Sequence, residues 1–169
     1  MNDSSTRPNP LTDPIVPVIR AFSLITAQSV GIFEALNDGA KKPGAIAEAL
    51  RLDRAALERL LAVLVSAGYL CHVQGRYELT EPSQMTLTKE APFSLAHWMQ
   101  FCGIQIKAIE QLESTLTRGG HFDLFSLLNT PAKLALHQMA MAETALPVAD
   151  WVAAEIPVPT DATRMLDVG

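Results

Sequence analysis

Residues 54–68 place Leu57, Leu60, Leu61, Leu64 and Val65 at positions i, i+3, i+4, i+7 and i+8. An apolar ridge of this period is one face of an α-helix and must be covered by another element. Asp53 stands where a side-chain oxygen can accept from the free amides that open the helix, and Gly68 supplies the left-handed closing residue. The flanking segments define the unit around this ridge. Pro43-Gly44 precedes a short helix over 45–50 with Ile46, Ala47 and Leu50 on one side. After the ridge, Tyr69-Leu70-Cys71-His72-Val73, a Gln74-Gly75 turn and Arg76-Tyr77-Glu78-Leu79 form a β-hairpin. Helix, helix, hairpin is the order of a winged helix-turn-helix.

Longer helices flank this unit. Over 15–36 the apolar residues Val18, Phe22, Ile25, Ile32, Phe33 and Leu36 recur every three or four positions, which predicts one long helix ended by Asn37-Asp38-Gly39. Thr80-Glu81-Pro82 combines a capping hydroxyl, an acid and a proline, the marks of another helix start. Residues 94–116 predict a second long helix, apolar over much of its circumference and ended by Gly119-Gly120. Pro131 opens a helix to about Thr144, and Pro147 should kink or restart it. The restarted piece carries Val148, Trp151, Val152 and Ile156 and ends at Pro157 and Pro159. Residues 164–169, Arg-Met-Leu-Asp-Val-Gly, read as a short buried strand running into a glycine. The expected organisation is a polar, Pro-rich disordered tail (1–14), a winged-helix domain (15–82), a helical linker region (83–160) and the start of another domain (161–169).

Apolar residues make up 49% of the chain and charged ones only 18%, against about 25% charged in ordinary soluble domains. Broad apolar helices with so few charges imply burial either in their own core or between two subunits. The net charge of −5 argues against a polyanion partner. The candidate recognition helix offers only Arg54 and Arg59, set against Asp53 and Glu58, where DNA affinity needs several phosphate contacts. Lys41, Lys42 and Arg76 add a small basic cluster, so a winged-helix DNA-binding regulator stands as the alternative. Cys71 and Cys102 read as free thiols in a reducing compartment. With no signal sequence and no apolar run near the ~20 residues needed to span a bilayer, the expected location is cytoplasmic, with no membrane association.

His72, His97, His121 and His137 show no metal-ligand spacing, and no nucleophile elbow or phosphate loop occurs. Trp98, Met99, Met139 and Met141 suit either a cavity for a flat aromatic ligand or plain core. A strand followed by Asp167 and Gly169 is how a nucleotide-type cofactor loop begins.

Taken in order, these landmarks resemble the N-terminal part of small-molecule O-methyltransferases of the plant caffeate and hydroxyindole type and their bacterial relatives in secondary metabolism. The resemblance runs from Ile15 onward and rests on several segments. They are Gly31-Ile32-Phe33-Glu34-Ala35-Leu36, Leu57 to Gly68-Tyr69-Leu70, Tyr77-Glu78-Leu79-Thr80, Trp98, Gly119-Gly120, Met139-Ala140-Met141 and Leu166-Asp167-Val168-Gly169. It implies a mainly α fold: a winged helix-turn-helix dimerisation domain with additional long helices, then the first strand of a truncated Rossmann-like methyltransferase domain. It further implies S-adenosyl-L-methionine as cofactor, met by Asp167 and Gly169, and a homodimer formed through the N-terminal helices. The resemblance also implies a small, aromatic hydroxyl compound as acceptor, bordered by Trp98, His137 and Met141. In the family three positions spaced by four on the helix before the cofactor domain line the acceptor pocket. They fall here on Lys133, His137 and Met141, of which only the methionine matches the usual Phe, Phe, Met. His137 can hydrogen-bond a substrate oxygen or cap a neighbouring carbonyl. The family's catalytic histidine lies beyond Gly169, so no catalytic residue is assigned here and the chain alone is expected to be inactive. A non-catalytic dimerisation module is the remaining alternative.

Overall fold

A computed structural model describes residues 11–120, 125–156, 161, 163, 164 and 166. Of the expected tail, residues 11–14 form a turn in which the Thr12 carbonyl accepts from the amides of Ile15 and Val16 at 3.2 and 2.9 Å. Residues 1–10 lie outside the described set.

The first helical run is two helices, α1 (Val16–Ser29) and α2 (Ile32–Ala35), where the periodicity predicted one. Gly31 separates them at φ 84°, a backbone state that side chains disfavour. The break turns Ile32, Phe33 and Leu36 inward, where all three are buried. Helix α3 (Pro43–Leu50) and helix α4 (Arg54–Ser66) follow as expected. The Asp53 carboxylate accepts from the Ala56 amide at 2.7 Å, the cap its position predicted. Strands β1 (Leu70–Val73) and β2 (Arg76–Leu79) pair antiparallel, Leu70 opposite Leu79 and Val73 opposite Arg76. Gln74 and Gly75 both take positive φ, the primed turn that matches strand twist.

These elements close around one cluster: Ile32, Phe33 and Leu36 meet Leu57, Leu61 and Leu64 of α4, with Ile46, Leu70, Tyr77 and Leu79 completing it. Each fully buried aliphatic side chain contributes on the order of 1.5–3 kcal/mol of transfer free energy. The helix–helix–hairpin order read from the sequence is therefore the packed unit.

Helix α5 (Glu81–Thr86) starts where Thr80 predicted, but the threonine hydroxyl does not cap it. It donates instead to the Gly68 carbonyl at 3.0 Å, tying the exit of β2 to the end of α4. The second long run also divides, into α6 (Ala96–Ile109) and α7 (Leu112–Arg118), the latter ended by Gly119 as expected. Helix α8 (Pro131–Glu155) runs through Pro147 without restarting, since a proline removes one backbone bond and the turns on either side hold the rest. Helix α6 lies between α1 and α8. Its contact with α8 is a second, smaller cluster of Phe101, Leu128 and Ala140, with Trp98, Ile104 and Leu136 against it.

The strand expected over 164–169 is not formed at the described positions: Arg164 and Leu166 are irregular, and Leu166 is 84% exposed. A strand needs a ladder partner for its amides and carbonyls, and among the described residues only β1 and β2 make a sheet.

Because Leu61 is fully buried while Leu112 is largely exposed, Leu61→Ala should destabilise the fold by about 2–5 kcal/mol in urea titration. Leu112→Ala should change it by less than about 0.5 kcal/mol.

Candidate functional site

Helix α6 begins at a tight return of the chain. The Leu95 amide donates to the Thr86 carbonyl at 2.7 Å, and Leu95, as the N-cap residue, offers no side-chain acceptor to the helix. Two first-turn amides are satisfied instead from α8. The His97 amide donates to Glu143 Oε1 at 3.2 Å and the Trp98 amide to Glu143 Oε2 at 2.8 Å. His97 Nδ1 lies 2.7 Å from Glu143 Oε1; a carboxylate can only accept, so that nitrogen carries the proton. Glu143 is 11% exposed in its side chain, and its negative charge sits at the positive end of the α6 dipole. Hydrogen bonds to a charged group contribute roughly 1.5–3 kcal/mol each. Neither the Glu143 carboxylate nor its role as a cap was visible in the sequence, because the two partners are 45 and 46 residues apart.

Beside this clamp lies a group of rings. Phe101 is buried, with Trp98 tilted against it at a centroid distance of 6.1 Å. His137 meets Phe101 edge-on at 5.0 Å and Phe125 edge-on at 5.8 Å. The structure thus gathers Trp98 and His137 around Phe101, a residue that sequence periodicity marked only as apolar. His137 is half-buried and makes no hydrogen bond to a described residue, so no backbone carbonyl among them takes it as a cap. Lys133 stands one turn before His137 and donates from Nζ to Asn129 Oδ1 at 3.1 Å. Met141 stands one turn after His137 and is exposed, as is Met139. Asp167 and Gly169, the expected cofactor contacts, lie outside the described residues. Neighbouring Cys102 is held above the usual thiol range by burial.

A second feature opens on the other side of α6. Pro17, Val18, Ala21 and Phe22 of α1 face Ile106 and Ile109 across an apolar groove of about 390 Å³. A hollow of about 220 Å³ continues it along Ala108, Ile109, Leu112 and Thr115. Phe22 is 47% exposed and Ile109 is 65% exposed, with Ile15, Val18, Ile19 and Leu116 open beside them. Apolar surface this continuous marks an interface or a ligand groove.

Three of the basic residues near α4 are engaged internally. Arg54 pairs with Glu58 at 2.8 Å, Lys41 with Asp38 at 2.7 Å, and Arg76 donates to the Ala40 carbonyl at 3.2 Å. The Lys41 ammonium, by hydrogen bond and then by charge, holds the Asp38 carboxyl below its ordinary range. Among the described residues no group of three His, Cys, Asp or Glu side chains could hold a metal. No described helix is long and apolar enough to cross a membrane.

The family model for the O-methyltransferase dimerisation domain matches residues 18–89, the segment from α1 to the end of α5. Over that segment the chain is similar to the O-methyltransferase dimerisation domain. Solved structures extend the similarity past it. The mitomycin 7-O-methyltransferase is 26% identical, with 87% of this chain matching 47% of that one at a TM-score of 0.72. The N,N-8-amino-8-demethyl-D-riboflavin dimethyltransferase of Streptomyces davawensis is 23% identical, covering 86% of this chain and 47% of its own at 0.71. Human N-acetylserotonin methyltransferase, solved in complex with S-adenosylmethionine, is 19% identical over 92% of this chain and 51% of its own, at 0.69. The chain therefore spans about half the length of each of these structures. No curated protein matches the sequence.

Burial disfavours the Cys102 thiolate, the reactive form. Alkylation of Cys102 by iodoacetamide at pH 8 should run at least about tenfold slower in the folded chain than in urea, followed by peptide mass spectrometry.

Proposed function

We propose that this chain is the dimerisation and acceptor-capping portion of an S-adenosylmethionine-dependent O-methyltransferase acting on a small aromatic hydroxyl compound of secondary metabolism in the cytoplasm. The observation that carries the reading is the apolar groove between α1 and α6, which adjoins the dimerisation segment and is still uncovered in one copy. A second copy of the chain covers it, forming a homodimer through the N-terminal helices. The similarity to methyltransferases solved with the methyl donor or its product supports the cofactor.

Methyl transfer from a sulfonium to an oxygen is an in-line displacement, so the protein must orient the acceptor and exclude water. Bound S-adenosylmethionine supplies the activated methyl group. Asp167 and Gly169 would contribute to holding it at the opening of the cofactor loop. Trp98, His137 and Met141 border the acceptor, with the Trp98 and His137 rings offering flat apolar contact. The ring nitrogens of His137, without a hydrogen-bond partner among the described residues, can meet the acceptor oxygen. The catalytic base is assigned to no residue of this chain. The winged-helix unit serves here as a platform rather than a DNA reader, in keeping with a net charge of −5 and the internal pairing of Arg54 and Lys41.

Sedimentation equilibrium tests the platform. The unaltered chain should be a dimer, and Phe22→Glu with Ile109→Glu should weaken it at least tenfold, about 1.4 kcal/mol, without loss of helical circular dichroism. A stable monomer with the groove intact would sink the proposal.

A further inference from the structure

Helix α8 is attached to α6 along one face only. Leu136, Ala140 and Glu143, spaced by four and three, form that face: the first two pack into the small Phe101 cluster and the third reaches the His97 and Trp98 amides. Glu143 is the last of these attachments. Beyond it Leu146, Val148, Trp151 and Ile156 are all exposed. Pro147, one turn on, has no amide to give to the Glu143 carbonyl, so the helix loses a backbone bond at the point where its side-chain anchorage ends. Side-chain attachment to α6 thus ends near Glu143, while the helix itself continues to Glu155.

The position of the rings depends on this attachment. Trp98 and Phe101 belong to α6 and His137 to α8, so their mutual spacing is set by the register of one helix on the other. The apolar packing of the Phe101 cluster is non-directional and pairs no particular atoms. A carboxylate that accepts from two successive amides and an imidazole does pair particular atoms, because each of its oxygens has an assigned donor.

We propose that Glu143 is a positioning residue: its carboxylate, clamped on His97 and Trp98, fixes the register of α8 on α6 and thereby holds Trp98 and His137, the two rings read as bordering the acceptor, in place against Phe101. The acceptor part rests on the methyltransferase reading above; the clamp does not.

The test separates the two. In a Trp151→Phe background, Trp98 is the only tryptophan. Glu143→Ala should shift Trp98 emission to the red. It should also speed hydrogen exchange of the His97 and Trp98 amides and of residues 131–143 at least tenfold, leaving α4 and the hairpin as protected as before. Glu143→Gln, which keeps one acceptor oxygen, should recover part of both changes. Unchanged emission and exchange in Glu143→Ala would overturn the clamp, as would an equal loss of protection in α4, which would make Glu143 a general stabiliser. In the full-length protein, Glu143→Ala should raise the acceptor KM at least tenfold and leave the donor KM unaltered. Equal changes in both would overturn the acceptor role. A full-length protein that transfers no methyl group would refute the enzymatic reading and with it the acceptor role, while emission and exchange still decide the clamp.

Discussion

The structure depends on covering one ridge. Leu57, Leu61 and Leu64 project from α4 along a single face, and nothing on α4 itself can shield them. The break at Gly31 brings Ile32, Phe33 and Leu36 onto that ridge, α3 adds Ile46, and the hairpin closes it with Leu70, Tyr77 and Leu79. Small ties secure the arrangement: the Asp53 cap, the Thr80 hydroxyl on the Gly68 carbonyl, and the Glu34 carboxylate accepting from the Lys89 amide at 2.8 Å. The segment from α1 to the hairpin thus has a core of its own.

Outside that core the balance differs. Helix α6 is shared between α1 on one side and α8 on the other, and neither contact buries much. Toward α1 lies the apolar groove; toward α8 the buried cluster among the described residues is Phe101, Leu128 and Ala140. The low charged fraction, 18%, is in keeping with the apolar surface along α1, α6 and the end of α8. Where apolar burial is thin, a buried polar contact gains importance, because leaving the first-turn amides of α6 unpaired would cost more than the pairing gains.

Much of the first half was legible residue by residue. Asp53, Gly68, the Gln74-Gly75 turn and the α4 ridge each act through neighbours within a few positions, and local geometry decides such features. The misreadings share a cause. Periodicity over 15–36 and 94–116 counts apolar residues, but does not register that Gly31 takes a left-handed backbone state or that the turn at Glu110-Gln111 divides two helices. Thr80 has the chemistry of a cap, and a carbonyl twelve positions back took its hydroxyl instead. At Pro147 the local rule predicted a kink or a restart; the restart does not occur, since one missing amide is a small loss to a helix held on both sides.

The sequence by itself determined the element types, the α4 ridge and its closure by a hairpin, and the family landmarks, since all of these follow from short-range spacing and turn chemistry. Only the tertiary structure decided that Trp98 and His137 share Phe101, that Glu143 rather than any local residue satisfies the opening of α6, and that the α1 and α6 faces stay open. Those outcomes join positions dozens of residues apart, and the free energy of such contacts depends on which surfaces meet, which no local pattern of side chains encodes.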